Sequence, residues 1–126
     1  MQHNQTIGKR GEDIVVRELE KSGFVVLARN CRIGNIGEID CIARRGDRVH
    51  IIEVKTRTSA LFGVPELAVT MQKRQRMWKA WQAARAMHGT DWGVSYHTPV
   101  QFDVAAVTLL PDRAQLLWYR DIEIGR

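Results

Sequence analysis

Two neighbouring runs of the sequence carry charged residues at alternate positions, the spacing that places side chains on one face of a β-strand. The charged residues are Glu38, Asp40, Glu53 and Lys55. A two-residue hairpin turn at Gly46-Asp47 would set Asp40 opposite Glu53 and Glu38 opposite Lys55. The pattern therefore predicts three carboxylates and one amine at the end of a hairpin, far from its turn.

This pairing of carboxylates is unfavourable in an ordinary sheet, because opposed side chains have Cβ atoms only about 4.5–5.5 Å apart. At that separation two carboxylates repel by roughly 3 kcal/mol for an effective dielectric of about 20. A divalent cation between Asp40 and Glu53 would make the pairing favourable, since Mg²⁺ prefers carboxylate oxygens. With Lys55 beside it to hold a phosphate, the group suits metal-assisted phosphodiester hydrolysis. Two simpler interpretations stay open: an exposed Glu38–Lys55 ion pair, and carboxylates that point apart into solvent.

The elements that must position this hairpin are predicted from apolar periodicity and turn residues. They are a helix over 6–22, strands over 24–28, 37–44 and 49–56, a loop over 58–65, a helix over 69–87, and strands over 100–110 and 115–119. A chain of 126 residues has enough surface to bury for one core and too little for two domains. The order α-β-β-β-α-β-β predicts a single α/β domain with a mixed sheet.

The first predicted helix carries an acidic residue on the face that turns toward the sheet. At the helical period Glu12 falls in line with Gly8, Val15, Leu19 and Ser22. We therefore expect Glu12 to point toward the sheet rather than toward water.

The second predicted helix accounts for the whole excess of positive charge. The formal net charge is +5, and residues 67–90 contain five basic residues and no acidic one, so the rest of the chain is neutral. The five are Lys73, Arg74, Arg76, Lys79 and Arg85. This concentration indicates a polyanionic partner, although a solvated helix face is the ordinary alternative. For the chain as a whole we expect that partner to be nucleic acid, with DNA as the expected form.

The apolar face of the same helix is predicted to pack on the sheet. It comprises Val69, Met77, Ala80, Trp81, Ala84 and Met87. Lys73 falls within this stripe, where its amine could be directed at a phosphate or could extend outward past Met77. Trp78 lies off the core face and adds an aromatic ring to the basic surface.

Composition limits the remaining possibilities. No apolar run reaches the roughly 18 residues of a membrane span, and the N-terminus lacks the order of a signal peptide. Cys31 and Cys41 have no metal-ligand spacing and fit a reduced, cytoplasmic protein. We expect no membrane association, and a homodimer with Trp78 or Trp118 at its contact remains open.

Several short motifs in a fixed order carry a resemblance to a known family. They are Gly8-Lys9-Arg10-Gly11-Glu12, Asn30, Gly37-Glu38-Ile39-Asp40, Glu53-Val54-Lys55-Thr56-Arg57 and Phe62-Gly63. The chain resembles the YraN-type family of small bacterial proteins, which belongs to the PD-(D/E)XK, restriction-endonuclease-like nuclease superfamily. The Asp, then Glu-x-Lys spacing is also similar to that of archaeal Holliday-junction resolvases. The resemblance runs from about Ile7 to Val107.

The resemblance implies a restriction-endonuclease-like α/β fold and a role for each matching residue. Asp40 and Glu53 would bind Mg²⁺ or Mn²⁺, Glu12 would reach the same metal, and Lys55 would be the catalytic lysine. The residues expected to contact nucleic acid are Arg57, Lys73, Arg74, Arg76 and Lys79.

The chain departs from the pattern of these proteins at two places. Ile39 stands before Asp40, where the superfamily's name has Pro, and Gln101 stands where the family more often has Arg. Gln101 could have lost a phosphate contact, and Asp103, two residues on, is more simply a polar strand residue than a further ligand.

We therefore predict a metal-dependent nuclease that acts on structured or branched nucleic acid. The alternative is a module on the same fold that binds nucleic acid or a protein without turnover, because a fold does not establish an activity.

Overall fold

A mixed five-stranded sheet lies between two helices in the part of the chain that the structure describes. The computed structural model describes residues 2–58 and 70–124, with side chains from residue 6 onward. The elements are α1 (Gln2–Lys21), β1 (Val25–Ile33), β2 (Gly37–Arg45), β3 (Arg48–Arg57), α2 (Met71–Trp92), β4 (Val100–Leu109) and β5 (Ala114–Tyr119). This order confirms the predicted α/β fold with a mixed sheet.

The strands lie in the sheet in their order along the chain. β3 and β4 are parallel, whereas the other three neighbouring pairs are antiparallel. A parallel pair requires a long crossover connection, and α2 lies within the one between β3 and β4.

Each face of the sheet has its own apolar core. Under α1, Val15 and Leu19 pack with β-strand residues such as Ile52. Under α2, Met77 and Trp81 pack with residues of the opposite face, among them Ile42, Ile51 and Val104. The face that carries Asp40 and Glu53 in the predicted hairpin is therefore also a core face for most of its length.

The first strand is longer than predicted. β1 continues to Ile33, where it pairs with Gly37, instead of ending at Ala28. Its pairing with β2 shifts between Val26 and Ala28, and Asn30 has a positive φ of 49°. These irregularities interrupt the alternation of apolar and polar residues, so the sequence pattern did not reveal the second half of the strand.

The second helix also continues past its predicted end. The helix passes through Gly89, runs to Trp92 and ends at Gly93, whose φ of 67° is left-handed. The N–H groups of Gly93 and Val94 donate to the carbonyls of Thr90 and Gly89 at 3.3 and 2.8 Å, a Schellman motif. A Cβ at Gly89 would lie 2.7 Å from the Val94 carbonyl oxygen, so this glycine permits a close return of the chain.

The predicted core face of α2 is correct except at one end. Met77, Ala80, Trp81 and Ala84 are buried, but Met87 is 64% exposed. Val69, the predicted start of the helix, lies outside the described residues, as do Phe62-Gly63 and the predicted loop beyond Thr58. The described helix begins after Thr70, whose hydroxyl accepts a hydrogen bond from the Lys73 N–H at 3.1 Å.

Among the described residues no helix is both long enough and apolar enough to cross a membrane.

Candidate functional site

The hairpin of β2 and β3 opens at the position of Asp40. From Arg45 opposite Arg48 as far as Cys41 opposite Ile52 the strands keep the register that the turn predicts. The pairing ends there, so the predicted opposition of Asp40 to Glu53 is wrong. The Asp40 carboxylate instead accepts a hydrogen bond from the Val54 N–H at 2.8 Å.

The opening follows from the way β2 turns between its core contacts. Ile39 packs in the cluster under α2, whereas Cys41, two residues on, packs in the cluster under α1. Residues two apart share a face in a regular strand, so β2 must rotate between them. The rotation lets Asp40 supply a side-chain oxygen where a regular partner strand would supply a backbone carbonyl.

Two ammonium groups converge on the buried carboxylate of Glu53. Its side chain is only 7% exposed, and its Oε2 lies 3.2 Å from Lys55 Nζ and 3.5 Å from Lys73 Nζ. Lys55 therefore pairs with Glu53 on its own strand rather than with Glu38, which is exposed. Lys73 comes from the first turn of α2 and was expected to contact phosphate; the fold brings it to the carboxylate.

Asp40 lies in an environment that disfavours its charge. Burial and the neighbouring charge of Glu53 raise its pKa to about 7, with a smaller contribution from Glu12. The Val54 N–H and the charge of Lys73 oppose this rise only in part. A carboxyl with this pKa is near half-protonated at neutral pH, unlike an ordinary aspartate.

A close contact between α1 and β3 brings the Glu12 backbone near the sheet. A Cβ on Gly11 would lie 1.8 Å from the Thr56 hydroxyl oxygen, so only glycine permits this approach. Glu12 follows directly and is half-buried, as its position in the helical stripe predicts. The charge of Glu12 contributes to the raised pKa of Asp40, so a residue of α1 acts on the carboxyl at the opened hairpin.

The described residues do not converge into a three-ligand metal centre. No group of three or more His, Cys, Asp or Glu residues in them lies close enough to hold a metal ion. Asp40 and Glu53 nevertheless supply the donor type that Mg²⁺ takes, and Mg²⁺ often binds through one or two carboxylates while keeping several waters. The residues present thus fit this cation in kind, with two carboxylates as the candidate ligands.

The basic residues of α2 do not form one continuous surface. At 100° per residue Arg74 and Arg85 lie on one flank, and Arg76 and Lys79 lie on the other. Arg74 Nη1 donates to the Glu123 carbonyl at 2.8 Å, and the Arg85 guanidinium stacks on Tyr96 at 4.1 Å from the ring centre. These two arginines therefore have structural contacts.

The opposite flank of α2 is the one available to an anionic partner. Arg76 and Lys79 are exposed there. Arg57, at the end of β3, is half-buried and donates to the Thr108 hydroxyl at 3.3 Å. The five predicted nucleic-acid contacts thus divide into three residues with partners inside the protein, Arg57, Lys73 and Arg74, and the exposed pair Arg76 and Lys79.

Asp103 occupies a different place from the candidate site. It is fully buried on β4, and three donors surround it: His50 Nδ1 at 2.8 Å, Gln101 Nε2 at 2.9 Å and the Asp121 N–H at 2.8 Å. Burial alone would raise its pKa, but the hydrogen bonds and the His50 charge together lower it. Asp103 and Gln101 are therefore structural, as the simpler interpretation of Asp103 predicts.

Fold and site together define a class: an α/β protein whose mixed sheet opens at one hairpin onto two carboxylates and two lysines. The model of the uncharacterised protein family UPF0102 matches residues 11–107, a span that includes every one of these side chains.

Relatives in this family resemble the chain over most of its length. A UPF0102 protein of Geobacter sulfurreducens is 37% identical over 118 residues, which cover 90% of this chain and 85% of the relative. One of Dictyoglomus turgidum is 36% identical over 116 residues, covering 92% and 93%. One of Syntrophus aciditrophicus is 37% identical over 121 residues, covering 96% and 91%. The chain belongs to UPF0102, which confirms the family resemblance that its motifs indicated.

Proposed function

We propose that this protein is a metal-dependent nuclease that hydrolyses phosphodiester bonds in structured or branched nucleic acid. The observation that carries the proposal is the opened hairpin, where Asp40, Glu53 and Lys55 meet in a partly buried site. The Asp, then Glu-x-Lys order, similar to that of PD-(D/E)XK nucleases, supports the same chemistry.

Each side chain has a definite part in this proposal. Asp40 and Glu53 would bind Mg²⁺ or Mn²⁺, and Glu12 would add negative charge from α1. The bound cation would polarise the phosphate and lower the pKa of a bound water. Lys55 would hold the phosphate, because binding of a divalent cation by Glu53 leaves its ammonium without its present partner. The exposed pair Arg76 and Lys79 would contact the backbone of the nucleic acid.

The direct test is cleavage of flap, gapped and four-way DNA and of RNA in Mg²⁺, Mn²⁺ or EDTA. We expect cleavage only with the cation, and a loss of roughly 10²-fold or more in Asp40→Asn and Lys55→Met. Asp47→Asn on the exposed β2–β3 turn is the matched control and should cleave as the wild type does. Equal cleavage by wild type and Asp40→Asn would assign the activity to a contaminant and refute the site.

One observation favours a second candidate, a binding module without turnover. Both lysines already neutralise Glu53, and the described residues supply no third ligand. A protein of this kind would bind nucleic acid with strong salt dependence in EDTA and cut nothing. Loss of that binding in the double variant Arg76→Ala, Lys79→Ala would then locate the surface.

The cytoplasmic location and the homodimer stay predictions. Trp78 is half-buried and packs against Phe102 with ring centres 6.0 Å apart, and Trp118 is also half-buried. The mass in solution, measured by size-exclusion chromatography with light scattering, tests the dimer.

A further inference from the structure

A pocket of about 230 Å³ lies beside the candidate site, between the β1–β2 turn and α2. The turn is closed by the Ile36 N–H, which donates to the Ile33 carbonyl at 2.9 Å. Gly34 has a φ of +45° in this turn, a conformation that favours glycine. The sequence pattern did not predict the pocket, because its two walls come from segments more than thirty residues apart.

The pocket combines an apolar interior with polar groups of both signs. Met77 and Ala80 of α2 supply apolar surface, and Ile36, 41% exposed, supplies more from the turn. Lys73 and Arg76 contribute cations from α2. We name this feature the turn–helix pocket.

The acidic side of the pocket lies on the turn. Asn35 of the turn and Glu38 at the start of β2 line it there, and the cations come from α2. A phosphate on the Glu38 side of the pocket would meet its carboxylate, whereas the exocyclic amine of a base could donate to it, as amines donate to carboxylates in base recognition. The distribution of charge therefore suits a nucleotide with its base in the pocket and its phosphate toward α2.

Lys73 belongs both to this pocket and to the candidate site. Its ammonium lies 3.5 Å from Glu53, and its side chain lines the pocket wall. A phosphate at Lys73 would thus lie next to the carboxylates, and the base attached to that phosphate would lie within reach of the turn.

The size of the pocket limits what it can hold. At about 30 Å³ for each water, its volume corresponds to roughly eight waters, which is space for one planar base. A base inside a continuous duplex must first be unstacked and unpaired, which costs free energy, whereas an unpaired base is already available.

Another pocket of the described part of the chain is larger but chemically unsuitable. It has about 400 Å³ beside the start of β4, and its lining includes Asp121 and Glu123 but no lysine or arginine. The turn–helix pocket is therefore the better candidate for a nucleotide because of the cations beside the carboxylate site, and not because of its volume.

We propose that the turn–helix pocket binds one unpaired nucleotide next to the phosphate held at the Asp40–Glu53 site. This inference rests on the proposed function, since it takes nucleic acid as the ligand of that site. It defines the substrate class as nucleic acid with an unpaired nucleotide at the reacting phosphate, in preference to a continuous duplex.

The experiment measures binding in EDTA, so that cleavage plays no part. The probes are a short single strand with 2-aminopurine at one position, the same strand with an abasic site there, and a continuous duplex. We expect the wild type to change the 2-aminopurine fluorescence and to bind the intact strand about tenfold more tightly than the abasic strand or the duplex.

Matched variants locate the effect in the pocket. Ile36→Glu places a charge at the rim, and Met87→Glu makes the same change at an exposed position far along α2. We expect Ile36→Glu to weaken binding of the intact strand about tenfold, with a circular dichroism melt like that of the wild type. Met87→Glu should leave the affinity unchanged.

The outcomes separate this inference from the proposed function. Equal affinity for intact and abasic strands, or equal behaviour of the two glutamate variants, would overturn the pocket even if cation-dependent cleavage is found. Absence of binding to every probe, both in EDTA and in Mg²⁺, would overturn it as well. Pocket-dependent binding of the intact strand in EDTA, together with no cleavage of any substrate in Mg²⁺ or Mn²⁺, would support the pocket and refute the nuclease.

Discussion

Asp40 on β2 and Asp103 on β4 are both withdrawn from water, and they differ in the number of donors that reach them. Asp103 is fully buried and accepts hydrogen bonds from three groups. Asp40 accepts one, from the Val54 N–H. As a result the pKa of Asp103 is lowered in spite of its burial, whereas burial and nearby carboxylates raise the pKa of Asp40 to about 7.

The difference separates a structural carboxylate from one that can take a ligand. Three donors fix the charge of Asp103 and tie the start of β4 to the segment after β5, so a new ligand would have to break existing bonds. Asp40 has acceptor capacity left and two acidic neighbours, so an added cation would relieve repulsion. Burial of an acid is therefore poor evidence of function until its donors are counted.

The largest effect on stability should come from removing the Asp103 carboxylate, which accepts three hydrogen bonds. Asp103→Ala leaves His50 and the Asp121 N–H without their acceptor in a buried site, and we expect a loss of about 3–5 kcal/mol in the free energy of unfolding. Urea unfolding at neutral pH measures it. The control Asp112→Ala removes an exposed carboxylate and should stay within about 0.5 kcal/mol. A small loss of stability in Asp103→Ala would contradict a structural role for Asp103.

The second prediction concerns Asp40, whose replacement should raise rather than lower the free energy of unfolding. Because the pKa of Asp40 is higher in the folded protein than its ordinary value of 3.8, the folded state keeps a proton that the unfolded state has released. Stability therefore falls as pH rises from about 4 to about 7. Asp40→Asn keeps an acceptor for the Val54 N–H and has no such titration.

We expect Asp40→Asn to gain about 2–3 kcal/mol relative to the wild type between pH 4.5 and pH 8. Urea unfolding in EDTA at the two pH values gives this difference. A gap between the two proteins that is the same at both pH values would show that Asp40 titrates as an ordinary aspartate.

The smallest expected effect concerns the lysine that α2 brings to Glu53. Lys73→Met removes an ammonium that competes with a cation for the same oxygen, and a half-exposed ion pair contributes at most about 1 kcal/mol. We expect Mn²⁺ to bind roughly fivefold more tightly by titration calorimetry.

Lys79→Met makes the same change on the exposed flank of α2 and should alter the Mn²⁺ affinity less than twofold. If both variants bind Mn²⁺ as the wild type does, Lys73 does not compete for Glu53. Weaker binding in Lys73→Met would mean that this lysine supports the site instead.

Much of the fold follows from local patterns. The apolar stripes of both helices and the two-residue turn at Gly46-Asp47 predict the element order and the hairpin register near the turn, and each is confirmed. The sequence patterns fail to predict the structure where tertiary packing overrides local preferences. β1 contains a bulge between Val26 and Ala28, and α2 continues through Gly89, a glycine whose missing Cβ leaves room for a close return of the chain.

The sequence predicts which residues come together in the candidate site, but it does not predict how they are arranged there. Spacing alone brings Asp40, Glu53 and Lys55 to one end of a hairpin. The same spacing predicts direct opposition of the two carboxylates, which the rotation of β2 prevents. The nucleic-acid contact of Arg74 stays a prediction, and the sequence did not reveal that its guanidinium donates to the Glu123 carbonyl.

The α/β order, the family and the set of charged residues at the opened hairpin can be read from the amino-acid sequence, because periodicity, turns and motif order are local properties. The folded arrangement was needed to show that the Asp103 carboxylate has three hydrogen-bond donors and the Asp40 carboxylate has one. It also decided that Lys73 reaches Glu53, and that the β1–β2 turn and α2 form a pocket beside it. These features depend on contacts between residues far apart in the chain, where side-chain packing and burial set the distances and the charges.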